Sequence, residues 1–114
     1  MGEVDQLGSG MKFTTGGVQF EIRQVPNVIE AIRYTFGNKM GFRGELHGVC
    51  LQEHKLVLIG SDQSDAQKAR TLLHEATHAI LPAMSERSVR RLEEDLYPVL
   101  RRAGFAYPKE LLSR

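Results

Sequence analysis

Polar and apolar positions first alternate along the chain and then recur at helical spacing. Val18, Phe20 and Ile22 interleave with Gln19, Glu21 and Arg23, a period of two that predicts a half-buried strand over 18–25, ended by Pro26. Asn27 offers a helix N-cap with Glu30 as its capping-box partner. Val28, Ile32, Thr35 and Phe36 then make an apolar stripe that Gly37-Asn38 stops. Gly37 to Gly44 reads as a loop. Two strand-like runs follow, Leu46 to Leu51 and Lys55 to Ile59, joined by Gln52-Glu53-His54, and they predict an antiparallel hairpin. Leu56-Val57-Leu58-Ile59 is apolar throughout, which puts that strand at the centre of the sheet with both faces covered.

Beyond Gly60-Ser61-Asp62 the period changes to that of a helix. Ser64 with Gln67 makes a capping box, and a helix is expected over about 65–81, buried through Ala66, Ala69, Leu72, Leu73, Ala76 and Ile80 and ended by Pro82. Ser85 caps a second helix whose inner face is Val89, Leu92, Leu96, Val99 and Leu100. Pro82-Ala83-Met84 is short enough to make the two an antiparallel pair. Arg87, Arg90, Arg91, Arg101 and Arg102 fall on the outer parts of the second helix and read as a solvated face, since no aromatic platform accompanies them. The tail from Ala103 is expected to be loosely held. The polar opening, residues 1–10, reads as a flexible arm or a cloning remnant and is left out of the fold. The expectation is one α+β domain over 11–114. It has a three-stranded, mostly antiparallel sheet, an N-terminal helix and two antiparallel C-terminal helices.

Composition narrows the setting. With 114 residues and 41% hydrophobic content there is room for one modest core. A formal net charge of +1 gives no global field to favour nucleic acid or membrane partners. A single cysteine, Cys50, excludes an internal disulfide framework and suits a reducing compartment. No apolar run approaches the roughly 18 residues of a membrane span, and no basic-then-apolar leader opens the chain. A cytoplasmic protein is expected.

The chemistry concentrates in His74-Glu75-Ala76-Thr77-His78, a His-Glu-x-x-His pattern on the first of the paired helices. Residues i and i+4 share a helical face, so His74 and His78 can aim two imidazoles at one ion. Glu75 lies about 100° round the helix, where its carboxylate can flank the ion without ligating it. That is the donor set of a metallohydrolase: two neutral imidazoles on Zn²⁺ and a carboxylate to act as general base towards a metal-activated water.

A catalytic zinc takes three protein ligands. The second helix carries Glu93, Glu94 and Asp95, which an antiparallel pairing brings level with the histidines. Taking Leu92 as zero, the apolar face centres near 40°, with Glu93 about 60° from that centre, Asp95 about 100° and Glu94 about 160°. Glu93 is therefore the expected third ligand, with a salt bridge to Arg90 or Arg101 as its other role. Pro98 clashes with the carbonyl of Glu94, and a kink there keeps Glu94 as the alternative ligand. His47 and Tyr97 are candidate auxiliary electrophiles, and His54 is expected to be solvated at a turn.

Leu72-Leu73-His74-Glu75-x-x-His78-Ala79-Ile80, followed by Ser85-Glu86-x-x-Val89-x-x-Leu92-Glu93-x-x-Leu96-x-x-Val99-Leu100, resembles the small HExxH proteins of phages and prophages. These are similar to the minimal zincin domain of ImmA/IrrE-type metallopeptidases. The resemblance covers the second half of the chain well and the hairpin before it loosely. It implies a compact zincin with His74, His78 and Glu93 as zinc ligands and Glu75 as general base, acting on a protein or peptide substrate in a host cytoplasm. Leu96 in place of a family alanine, and Pro98, depart from the family's Glu-x-x-Ala-x-x-Phe-Ala pattern. The competing expectation, of another class, is a zinc-stabilised binding or accessory protein without turnover.

Overall fold

The computed structural model describes residues 10–37 and 46–112. The expected arm, apart from Gly10, and most of the expected loop over 37–44 lie outside them. The class is α+β, and the sheet has four strands where three were expected. They are β1 (Gly10–Thr15), β2 (Val18–Val25), β3 (Gly48–Leu51) and β4 (Leu56–Gly60), in the order β1-β2-β4-β3. β1 pairs antiparallel with β2, β3 antiparallel with β4, and β2 parallel with β4.

β1 is the addition. Met11 and Phe13 alternate with polar neighbours and pack on the core, and Phe13 stacks on Phe20 across the pair with ring centroids 5.5 Å apart. Gly16 and Gly17 join the two strands with φ of 57° and 78°. Two positive φ values in a two-residue turn are what a tight hairpin requires, and only glycine takes them without strain.

β4 is central and covered on both faces, as its unbroken apolar run predicts: Leu56 to Ile59 are at most 3% exposed. Its side chains alternate between two cores. Leu56 and Leu58 meet Val25, Val28, Ala31 and Ile32 beneath helix α1 (Val28–Phe36). Val57 and Ile59 meet Phe20, Ile22, Ala69 and Leu72 beneath helix α2 (Asp65–Ile80). Full burial of such side chains contributes about 1.5–3 kcal/mol each.

The helices begin where their caps predict. Asn27 accepts from the amide of Glu30 at 2.9 Å, Ser64 from that of Gln67 at 3.1 Å, and Ser85 from that of Ser88 at 3.1 Å. α2 and helix α3 (Glu86–Arg102) run antiparallel: Ala66 meets Tyr97 near one end of the pair and His78 meets Glu86 at the other. α3 continues through Pro98, and Glu94 stays exposed.

Two inner faces depart from expectation. On α2, Ala66 and Ile80 are exposed, while Lys68, Thr71, Thr77 and Ala79 are buried. Lys68 is tolerated there because its ammonium reaches Gln24 Oε1 and Asp65 Oδ1, each at 3.2 Å, and lies over the Tyr107 ring. On α3, Val99 is 60% exposed and Tyr97 only 6%. The tail is also not loose. Phe105, Tyr107 and Leu111 pack into the α2-side core, and Leu111 is wholly buried where the turn Lys109–Leu111 meets β1 and β2. These apolar residues are too widely spaced to register as a period. Among the described residues no helix is long and apolar enough to cross a membrane.

Candidate metal centre

The His-Glu-x-x-His segment forms the last turns of α2. One turn apart on one face, the rings of His74 and His78 have centroids 5.0 Å apart and planes inclined by 62°. Both turn Nε2 towards the same carboxylate. Glu86 places Oε2 3.1 Å from Nε2 of His74 and Oε1 2.8 Å from Nε2 of His78. Pro82 ends α2, Ser85 caps α3, and this short link folds the first turn of α3 over the last turn of α2.

One donor atom each from His74, His78 and Glu86 lies within 4.8 Å of the other two. Imidazole nitrogen and carboxylate oxygen are donors that zinc accepts at about 2.0–2.2 Å, so three of them around a tetrahedral ion stand roughly 3.3 Å apart. Each histidine Nε2 already reaches one Glu86 oxygen, at 3.1 and 2.8 Å, so a small adjustment of side chains would bring one donor atom from each residue to that spacing. Glu86 is 55% exposed, which leaves a side open to solvent, and the group fits a three-ligand divalent site by its chemistry.

Glu93, the expected third ligand, stands on the other side of His74. Its Oε1 lies 2.9 Å from Nδ1 of that ring, and its Oε2 accepts from Arg70 Nε at 2.7 Å. With Tyr97 inward and Val99 outward, the buried face of α3 turns towards Glu93, which points at α2 as its angle predicts. Its height sets the contact: Glu93 is level with Arg70 and His74, one turn above the point where the two Nε2 atoms meet. Glu94, exposed, lines the larger cavity described below but makes no contact with either histidine among those observed. The residue missed in sequence is Glu86. Its signal was the short link from His78 to Ser85, which forces a first-turn side chain against the second histidine.

Glu75 turns the other way, towards β3. A Cβ at Gly48 would overlap Thr71 Cγ2 and lie 3.2 Å from Glu75 Cγ, so β3 rests against α2 at this level because residue 48 lacks a side chain. Burial pushes the Glu75 carboxyl above its ordinary range. His74 and His78 oppose that shift, and Glu86 and Glu93 add to it. For His74, burial favours the neutral ring, but the hydrogen bond to Glu93 and the charges of Glu75 and Glu86 outweigh it and hold the imidazolium form up. Partial burial raises Glu86, yet hydrogen bonds from His78 and Arg90 and the charge of His74 bring it below the usual carboxylate range.

Two adjoining cavities, of about 470 and 410 Å³, border this group and share Leu46, Gly48, His74, Glu75 and Glu86. The larger extends to His47, Gln67 and Arg90. The smaller extends to Val49, Cys50 and Pro82. Together they follow β3, an edge strand. The His47 carbonyl accepts from the Gly60 amide at 2.8 Å, in register with Gly48 opposite Ile59. In an antiparallel ladder inward-bonded residues alternate with outward-facing ones, so Gly48 and Cys50 turn their N–H and C=O groups away from the sheet. Gln52 ties the end of β3 to the histidine helix, donating to the His78 carbonyl at 2.6 Å.

The remaining candidates separate. His47 is exposed on the wall of the larger cavity. Tyr97 is buried, and its hydroxyl donates to the Ala66 carbonyl at 3.3 Å, away from both cavities. His54 is exposed but stacks on Phe36 with ring centroids 4.0 Å apart.

Comparison of the chain with known protein families, with curated proteins and with solved structures finds no match. The functional reading therefore rests on the site's own residues.

Proposed function

We propose that the chain is a zinc-dependent metallopeptidase, with His74, His78 and Glu86 as metal ligands and Glu75 as general base. The observation that carries this is the convergence of both Nε2 atoms of the His-Glu-x-x-His helix on the Glu86 carboxylate, with Glu75 lining the same cavities. A divalent ion held by His74, His78 and Glu86 would supply a Lewis acid for a scissile carbonyl and lower the pKa of water beside it. Glu75 accepts the proton of the attacking water and passes it to the leaving amine. The outward main-chain groups of Gly48 and Cys50 bind an extended polypeptide as an added strand, which holds the scissile bond beside His74 and Glu75.

The resemblance to small phage HExxH proteins agrees with this reading in His74, His78 and Glu75, though it implies Glu93 in place of Glu86, and extends it to a phage-derived enzyme at work in a cytoplasm. Glu75→Gln is the deciding variant. It is expected to keep zinc and fold while peptide hydrolysis falls by about 10²–10⁴, the usual worth of a general base. The readout is cleavage of a denatured-protein or peptide-library substrate by mass spectrometry. No cleavage by native protein that still binds zinc would instead favour a zinc-stabilised binding module, and equal cleavage by Glu75→Gln would remove Glu75 as the base.

A further inference from the structure

Glu93 takes no part in the proposed reaction, yet it is poorly exposed, at 16%, and makes a close contact with a ring only 14% exposed. An ionised carboxylate can only accept hydrogen bonds, so at 2.9 Å from Nδ1 of His74 it requires the proton on that nitrogen. Glu86 makes a competing claim on Nε2 at 3.1 Å, but it is 55% exposed and shared with His78 and Arg90. In the neutral ring the shorter, drier contact to Glu93 therefore keeps the proton on Nδ1 and leaves the lone pair on Nε2, facing His78 and Glu86. The second oxygen of Glu93 is taken by Arg70 Nε at 2.7 Å. Arg70 is itself held, with its guanidinium 5.4 Å from the centre of the Tyr97 ring. Both oxygens of Glu93 are engaged, and its partners sit one turn apart on α2.

We infer that Glu93, steadied by Arg70, is a positioning residue that fixes His74 in its Nδ1–H tautomer and aims Nε2 at the metal position before a metal arrives. This rests on the reading of His74 as a ligand. Outer partners of this kind govern metal affinity by holding a ring and its tautomer, without touching the ion. His78, whose hydrogen bond runs from Nε2 to Glu86, gains its orientation from its neighbours in the site.

The test combines calorimetric zinc titration with long-range ¹H–¹⁵N NMR of the histidine rings. The NMR is recorded on zinc-free protein at about pH 9, above the ordinary histidine range. Native zinc uptake is read first. Glu93→Ala is expected to weaken zinc binding by about 10–100-fold and to leave His74 a mixture of tautomers. Glu93→Gln, whose amide oxygen still accepts from Nδ1–H, keeps the tautomer and recovers most of the affinity. Arg70→Ala loses affinity in the same direction but by less. A proton on Nε2 of His74 in the native protein, or native affinity in Glu93→Ala, would overturn the inference. So would loss of binding as complete in Glu93→Gln as in Glu93→Ala, with a changed absorption spectrum of the cobalt-loaded protein, the mark of a direct ligand. Native protein that takes up no zinc overturns the metal reading itself, and is told apart from these outcomes because it is measured before any variant.

Discussion

The two faces of the sheet use the same strands for opposite ends. Under α1, Leu56 and Leu58 close against Val25, Val28, Ala31 and Ile32 in a continuous apolar cluster. Under α2, Val57 and Ile59 begin a similar core with Ala69, Leu72 and Leu111, but near β3 that core gives way to carboxylates and imidazoles. The difference lies at the edge strand. Gly48 presents no side chain to α2, so Glu75 and two cavities occupy the space that an apolar residue would fill. The α1 face is closed by packing, whereas the α2 face opens at its β3 edge onto the candidate site. Under the proposed reading, substitutions at the two places should therefore separate stability from metal binding.

The largest effect is expected on the closed face. Leu58→Ala removes a fully buried side chain and should cost about 2–5 kcal/mol in urea unfolding, while zinc affinity of the molecules still folded is unchanged. Loss of zinc affinity in that variant would mean that the two faces are coupled. Next comes Glu86→Ala, which removes a proposed ligand. Zinc binding should fall by more than the roughly 10–100-fold typical of outer partners, with no drop in the urea midpoint of the metal-free protein. Intact zinc binding would remove Glu86 from the ligand set.

Gly48→Ala tests the seam between the faces. Its new methyl would overlap Thr71 Cγ2, so β3 or α2 must shift, at a cost of about 1–3 kcal/mol. Peptide binding should weaken further than stability does, and Thr71→Ser in the same chain should restore part of both. The smallest effect concerns Cys50, which faces the smaller cavity. Burial first, and then the Glu75 carboxylate, push its thiol up to about 11. Only the thiolate reacts, so alkylation by iodoacetamide should be slow at neutral pH and keep rising with pH to near 11. A plateau near 8.5, the ordinary thiol value, would show that the strand edge is open to water.

Much of this contrast was legible in the sequence, because it depends on local signals. The unbroken apolar run of β4, the caps at Asn27, Ser64 and Ser85, and the spacing of His74 and His78 each act within a few residues. What escaped depends on tertiary contact. β1 is short, and its alternation of Met11 and Phe13 follows directly on a polar opening that masks it. Tyr107 and Leu111 anchor the tail through isolated insertions that leave no period. Glu93 was found by its helical angle, but angle alone does not tell which nitrogen of His74 it meets. That depends on how far up α3 the residue lies, and the same geometry brings Glu86 to the two Nε2 atoms.

The most direct measurement is metal content after zinc loading and exhaustive dialysis, on native protein and on His78→Ala. The account predicts about one zinc per chain in the native protein, as a single three-ligand site holds, and little in the variant. Native protein that retains no zinc, or a His78→Ala variant that retains as much as native, would contradict it.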